Sequence, residues 1–204
     1  QVEEFIPHLQ SSHFLGGEPF LIPQYVDLWE RMSEINPKMA VSVQTNCTVL
    51  NQRVKDILER MDFHISVSID SVDATNYAFI RKHGQLDRVV ENLRYFREYT
   101  YRRGTLLTLA FCPMPQNWRE LPMIVDFCNE WGMPLMFTTV ESPPSCSLSA
   151  LNFAQLSEIE AYLQPHLHPL NTPLERQNRQ TYLDQIQQIR YWKEAARSKE
   201  LAGI

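Results

Sequence analysis

"HISVSID", residues 64–70, alternates without a break: Ile65, Val67 and Ile69 face one way, and Ser66, Ser68 and Asp70 the other. "VSVQTN", residues 41–46, repeats the pattern, with Val41 and Val43 set against Ser42, Gln44 and Asn46. A parallel strand packed on both faces reads as a nearly continuous apolar run. These two carry a polar face instead. Around them, β-type runs at Ser12–Leu15, Ala40–Gln44, His64–Ile69, Leu106–Phe111 and Leu135–Thr139 alternate with helical periodicity over Ile22–Ile35, Arg53–Arg60, Leu86–Tyr99 and Trp118–Trp131. Strand starts recur at about the length of a β-α-β crossover, and five such units in series predict an α/β fold with a parallel sheet. The polar face makes that sheet a partial (β/α) barrel whose inner surface meets a polar ligand, with chemistry at the C-terminal ends of the strands. An antiparallel, half-solvated sheet gives the same alternation and stays open as the alternative.

The strand ends are then Gly16–Pro19, Thr45–Cys47, Asp70–Ser71, Cys112–Asn117 and Glu141–Ser142. The first lies in "HFLGGEPFL", residues 13–21, where two glycines permit positive φ and leave bare backbone beside a carboxylate that can accept from an ammonium. After Thr139 the regularity stops at "ESPPSCS". A helix near Phe153–Leu163, a break at "QPHLHPLNTP" and a polar helix from Leu174 to about Leu201 follow, the last reading as an edge helix with a thin stripe of Tyr182, Ile186 and Ile189. Residues 1–142 are expected to form the barrel core and 143–204 a helical extension.

Composition narrows the function. A net charge of −5 with no basic stripe argues against a general nucleic-acid binder. No apolar run reaches the ~18 residues of a membrane span, and the acidic, polar N-terminus does not read as a signal peptide, so a cytoplasmic location is expected. Cys47, Cys112, Cys128 and Cys146 lack the short spacing of zinc or iron–sulfur ligand sets and read as free thiols. His166-x-His168 has no third ligand beside it, and Glu18 with Asp70, the paired carboxylates of a possible hydrolase, comes with no activated nucleophile.

Order and spacing say more than any single motif. "GGEP", then "TN" about 28 residues on, then "SVSID" and "YAFIRKHG", resembles the radical S-adenosylmethionine superfamily in its SPASM and twitch-domain branch, from about Ser12 to Val140, the second to the sixth unit of a six-unit partial barrel. "CPMPQNWRELPMIVDFCNEWGM" is similar to the fifth unit of these proteins. The resemblance implies that Gly16, Gly17 and Glu18 hold the amino group of S-adenosylmethionine, that Ser68 reaches its ribose or carboxylate, and that Arg81 pairs with its carboxylate. Thr45 and Asn46 match a third-strand motif near cofactor and substrate, and Asn117 is a further candidate for that pocket.

Two departures accompany the resemblance. The family's [4Fe–4S] cluster sits on a C-x3-C-x2-C loop that this sequence does not contain, so the chain is expected to be most of a catalytic core, inactive by itself, with the cluster segment upstream. Cys47 stands where the family has glycine in "TNG", and either bends the backbone or places a thiol near the pocket. The expected substrate is a small molecule or peptide, and an unpaired edge at the first strand predicts self-association. Two other readings stay open: a non-catalytic cofactor- or partner-binding module of the same fold, and an unrelated partial-barrel enzyme acting on a small polar substrate.

Overall fold

A computed structural model describes residues 3–202. Its strands are β1 (Ser11–Phe14), β2 (Ala40–Thr45), β3 (Phe63–Ser68), β4 (Leu107–Phe111) and β5 (Leu135–Phe137), hydrogen-bonded in that order in one sheet. The pairs β1–β2, β2–β3 and β4–β5 run parallel, which removes the antiparallel alternative. Between and after the strands come α1 (Pro23–Ile35), α2 (Gln52–Leu58), α3 (Ala74–Ile80), α4 (Leu86–Arg103), α5 (Leu121–Trp131), α6 (Phe153–Leu163) and α7 (Pro173–Ala202). Contacts group the chain into two units: one runs up to Ser68 and includes Gln85–Thr108, and the other holds Ile69–Gly84 and the chain from Leu109 on.

In the first unit the alternation seen in the sequence becomes a two-sided sheet. Val41, Val43, Phe63, Ile65 and Val67 are buried, while Ser42, Gln44, His64, Ser66 and Ser68 are half-buried. The register sets Ser42 beside His64 and Gln44 beside Ser66, so the polar side chains share one face. The apolar face packs on an aromatic cluster around Trp29 of α1, whose ring meets Phe14 at 5.1 Å, Phe63 at 5.4 Å and Phe20 at 5.6 Å, all edge to face. Tyr99 of α4 accepts from the Phe63 N–H and donates to the Met61 carbonyl, both at 2.8 Å, which fixes where β3 begins. α4 runs four residues past the expected Tyr99 and stops at Gly104, whose φ of 65° makes the left-handed cap that ends many helices.

In the second unit α5 starts late. Trp118–Glu120 forms a 3-10 turn, and Pro122 in the first turn of α5 needs no donor there. α3 escaped the periodicity because its seven residues bury only Tyr77, whereas the equally short α2 buries Val54, Ile57 and Leu58; Asp73 caps α3 by accepting from the Asn76 N–H at 2.8 Å. α7 is a docked helix, more than a surface edge. Tyr182, Ile186 and Ile189 are buried, and Asn178 is fully so. The Asn178 amide donates to Asn129 Oδ1 at 2.9 Å and the Met133 carbonyl at 3.0 Å, and accepts from the Leu135 N–H at 2.8 Å. No helix among the described residues is long and apolar enough to cross a membrane.

Asn178→Ala strands the buried Leu135 N–H and leaves a small void. It should cost about 2–4 kcal/mol in urea unfolding monitored by circular dichroism, whereas Gln180→Ala, on an exposed stretch of the same helix, should change stability by no more than about 0.5 kcal/mol.

Candidate functional site

The turn after β1 explains its own composition. Gly16 and Gly17 have φ of 93° and 54°, and a Cβ built on either meets nothing within 4 Å. Conformation, not lack of space, therefore calls for glycine, since an L-residue there costs roughly 1–2 kcal/mol. Glu18 is extended, as a residue before proline should be, and caps the 3-10 turn Pro19–Leu21. Its carboxylate is buried and fully engaged. Oε1 accepts from the Phe20 N–H at 3.2 Å and from Thr45 Oγ1 at 2.8 Å, and Oε2 accepts from the Asn46 N–H at 2.7 Å. Burial pushes the Glu18 carboxyl above the usual range, and the hydrogen bonds from Thr45, Asn46 and Phe20 pull partly back.

Asn46 Oδ1 accepts from the Thr48 N–H at 3.0 Å, an Asx turn that leaves no protein partner recorded for its amide nitrogen among the described residues. Cys47 then takes a φ of 62°, the left-handed conformation a glycine would supply. Its thiol donates to the Val89 carbonyl at 3.4 Å and its carbonyl accepts from Asn92 at 2.8 Å, so the side chain is tucked onto α4. Burial, with the Glu18 charge second, drives the Cys47 thiol far above its ordinary pKa. The Cys47 position thus keeps the glycine backbone and adds a buried, unreactive sulfur. Further along the polar face, Gln44 donates to Ser68 Oγ at 3.0 Å, and the buried Ser66 hydroxyl has no partner among the described residues.

The second unit carries a matching arrangement. Glu120, 7% exposed, accepts from Ser71 Oγ at 2.8 Å and from the Val72 N–H at 2.7 Å, and also from Asn76, gathering the loop after β3. Asp70 accepts from Arg81 at 2.6 Å. Asn117 is buried and spent: its amide donates to the carbonyls of Asp70 and Cys112, and it accepts from the Met114 N–H at 2.7 Å. It braces two strand ends. Among the expected site residues, Gly16, Gly17, Glu18, Thr45 and Asn46 form one cluster, Ser68 lies on the polar face of the same unit, and Arg81 is held by Asp70 in the other. Glu120 went unread because a Glu opening a helix looks like an ordinary first-turn acid; its place after a strand-end loop, like that of Glu18, was the available signal.

Among the described residues no group of three or more His, Cys, Asp or Glu is placed to hold a metal ion. His168 instead pairs with Asp126 at 2.9 Å and lies edge-on to Tyr182.

A family profile described as the Radical SAM superfamily matches residues 1–128. The chain belongs to the radical SAM superfamily. Among curated relatives it is 23% identical over 171 residues to the GTP 3',8-cyclase of Synechocystis sp., covering 82% of this chain and 51% of that protein. To the pre-heme d1 synthase of Dinoroseobacter shibae it is 29% identical over 119 residues, covering 58% and 28%. The chain therefore spans about half the length of the first of these relatives. Among solved structures it resembles Streptococcus suis SuiB bound to S-adenosylmethionine, with a TM-score of 0.53 at 19% identity, covering 76% of this chain and 36% of that one. It also resembles anSMEcpe with bound AdoMet, with a TM-score of 0.55 at 16% identity, covering 80% and 47%. At these identities the likeness is one of fold, and it agrees with the parallel, sequentially ordered sheet of a partial (β/α) barrel.

Two measurements check this geometry. Ellman's reagent should leave Cys47 and Cys128 unmodified in the folded protein and reach them on denaturation, because both are fully buried and their thiols are pushed up by burial. Carboxyl titration by NMR should place Glu18 above the ordinary 4.5 and Glu160 below it, the latter held down by hydrogen bonds from Lys193 and then Arg190. The signs differ accordingly. Stability contributed through Glu160 is present above 4.5 and lost as pH falls through its lower folded value, whereas protonation of Glu18 favours the folded state from its raised pKa down to 4.5.

Proposed function

We propose that this chain binds S-adenosylmethionine as the core of a radical SAM enzyme acting on a small molecule, with residues 1–142 as that core and 143–204 as its extension. The observation that carries the reading is the Glu18 carboxylate gathered with Thr45 and Asn46 beside a turn whose two glycines leave bare backbone. Gly16 and Gly17 take the amino group on this reading, with Glu18 holding the turn in shape and supplying negative charge nearby. Ser68 offers a hydroxyl to ribose or carboxylate, and Arg81 a forked donor to the carboxylate.

The residues present fit such a ligand. The glycine backbone is open to approach, and the polar sheet face carries the unpartnered Ser66 hydroxyl together with Ser68. A zwitterion bearing a sugar needs acceptors for its ammonium and hydroxyl partners for its ribose, and this face is built of both. When bound with a reduced [4Fe–4S] cluster, S-adenosylmethionine supplies a 5'-deoxyadenosyl radical. The described residues do not fit the cluster itself, since no ligand set is assembled among them and the buried thiols of Cys47 and Cys128 are held protonated. The work assigned to this chain is to bind and orient the cofactor. Curated relatives named as GTP 3',8-cyclases favour a small-molecule substrate.

Isothermal calorimetry with S-adenosylhomocysteine tests the reading. Binding is expected, with Ser68→Ala weakening it by about three- to tenfold, one hydrogen bond's worth. Heat that stays flat with the wild-type chain at millimolar ligand would sink the proposal.

A further inference from the structure

The ion pair of Asp70 with Arg81 is lopsided. Both Nε and Nη2 of Arg81 lie 2.6 Å from the same oxygen, Oδ2. The other oxygen, Oδ1, is buried and takes no hydrogen from Arg81. The Asp70 side chain is 6% exposed and that of Arg81 38%, so the pair has a sealed end and an open end. A buried carboxylate is costly unless well paired, and the ordinary fork-to-fork arrangement would satisfy both oxygens. The one-oxygen grip consumes Nε–H and one Nη2 hydrogen. It leaves the Nη1 hydrogens and the outer Nη2 hydrogen along the edge turned away from Asp70.

Both partners are fixed through their backbones. The Arg81 N–H donates to the Tyr77 carbonyl at 2.8 Å, and its carbonyl accepts from the Gly84 N–H at 2.6 Å. That turn demands Gly84, because a Cβ there would fall 2.6 Å from Tyr77 Cε1 and 2.7 Å from the Arg81 carbonyl oxygen. On the other side, the Asp70 carbonyl accepts from the fully buried Asn117 amide at 2.8 Å. The nearby Cys112 thiol, pushed up to about 11 by burial first, then by the Asp70 charge and by hydrogen bonding toward the Asp70 carboxylate, stays a neutral S–H and does not compete for Arg81.

We infer that Asp70 is a positioning residue: it turns Arg81 so that the free edge of the guanidinium forms a ready fork for a carboxylate, while cancelling most of its charge. A lone arginine attracts any anion through its field, but one already paired recognises by direction. The site therefore favours the carboxylate of a zwitterion over a polyphosphate. Identifying that carboxylate as the one on S-adenosylmethionine rests on the function proposed above.

Two measurements on the full chain test the inference. Without ligand, the Arg81 Nε–H resonance should be sharp and slow to exchange in the wild type, and broadened in Asp70→Asn. In calorimetry, Asp70→Asn should weaken S-adenosylhomocysteine on the order of tenfold or more, and change 5'-methylthioadenosine, which lacks the carboxylate, by less than about twofold. Adding Asp70→Asn to Arg81→Gln should weaken binding no further than Arg81→Gln alone. An equal loss for both ligands, or an Arg81 resonance that Asp70→Asn leaves untouched, overturns the inference. If Asp70→Asn does not fold, a wild-type Arg81 Nε–H averaged like that of an exposed arginine overturns it. A wild type that binds both ligands equally keeps the cofactor reading and refutes this one, whereas a wild type that binds neither removes both.

Discussion

Burying a carboxylate next to backbone N–H groups is expensive to arrange and cheap to keep, and the Glu18 cluster depends on that asymmetry. The charge loses its water, so each lone pair has to find a donor of the protein's own. The Phe20 and Asn46 N–H groups and the Thr45 hydroxyl come from two segments remote in sequence, and the Glu18 carboxylate joins the β1 turn to the β2 end by accepting from all three. Positive φ at Gly16 and Gly17 turns the chain, Pro19 starts the short helix, and Thr45 and Asn46 complete the shell.

The second unit solves the same problem independently. Glu120 collects the Ser71 hydroxyl and the Val72 N–H much as Glu18 collects Thr45 and Asn46. In both cases the loop after a strand is held by a carboxyl group supplied from a different segment. Loops at the ends of parallel strands usually need such bracing, because the sheet stops hydrogen-bonding them where function begins.

What the sequence disclosed follows from the range of each interaction. The period-2 pattern of residues 41–46 and 64–70 is local and strong, so the strands, their polar face and the parallel sheet were readable, as were the glycine turn and the "TN" strand end. The bounds of β5 were not, since pairing beyond Phe137 depends on a neighbouring strand and not on propensity. α3 buries only Tyr77 and so has no apolar period to read, and the docking of α7 turned on one buried Asn178 whose three partners lie more than forty residues away in the chain. Ion pairing of Arg81 with Asp70 was equally hidden: eleven residues separate them, and neither type announces the other. The ambiguity over Cys47 resolved through backbone geometry, which a sequence records only indirectly.

Cys47 also ties two elements of the first unit together. It sits in the loop after β2, and its carbonyl and thiol are both fastened to α4, through Asn92 and Val89, in the first two turns of an eighteen-residue helix. Its backbone neighbour Asn46 touches the Glu18 carboxylate. A shift of that loop must either drag the helix along or break both fastenings at once. With the thiol standing where a flexible glycine would leave slack, the strand end is tied at two points to the first two turns of the helix.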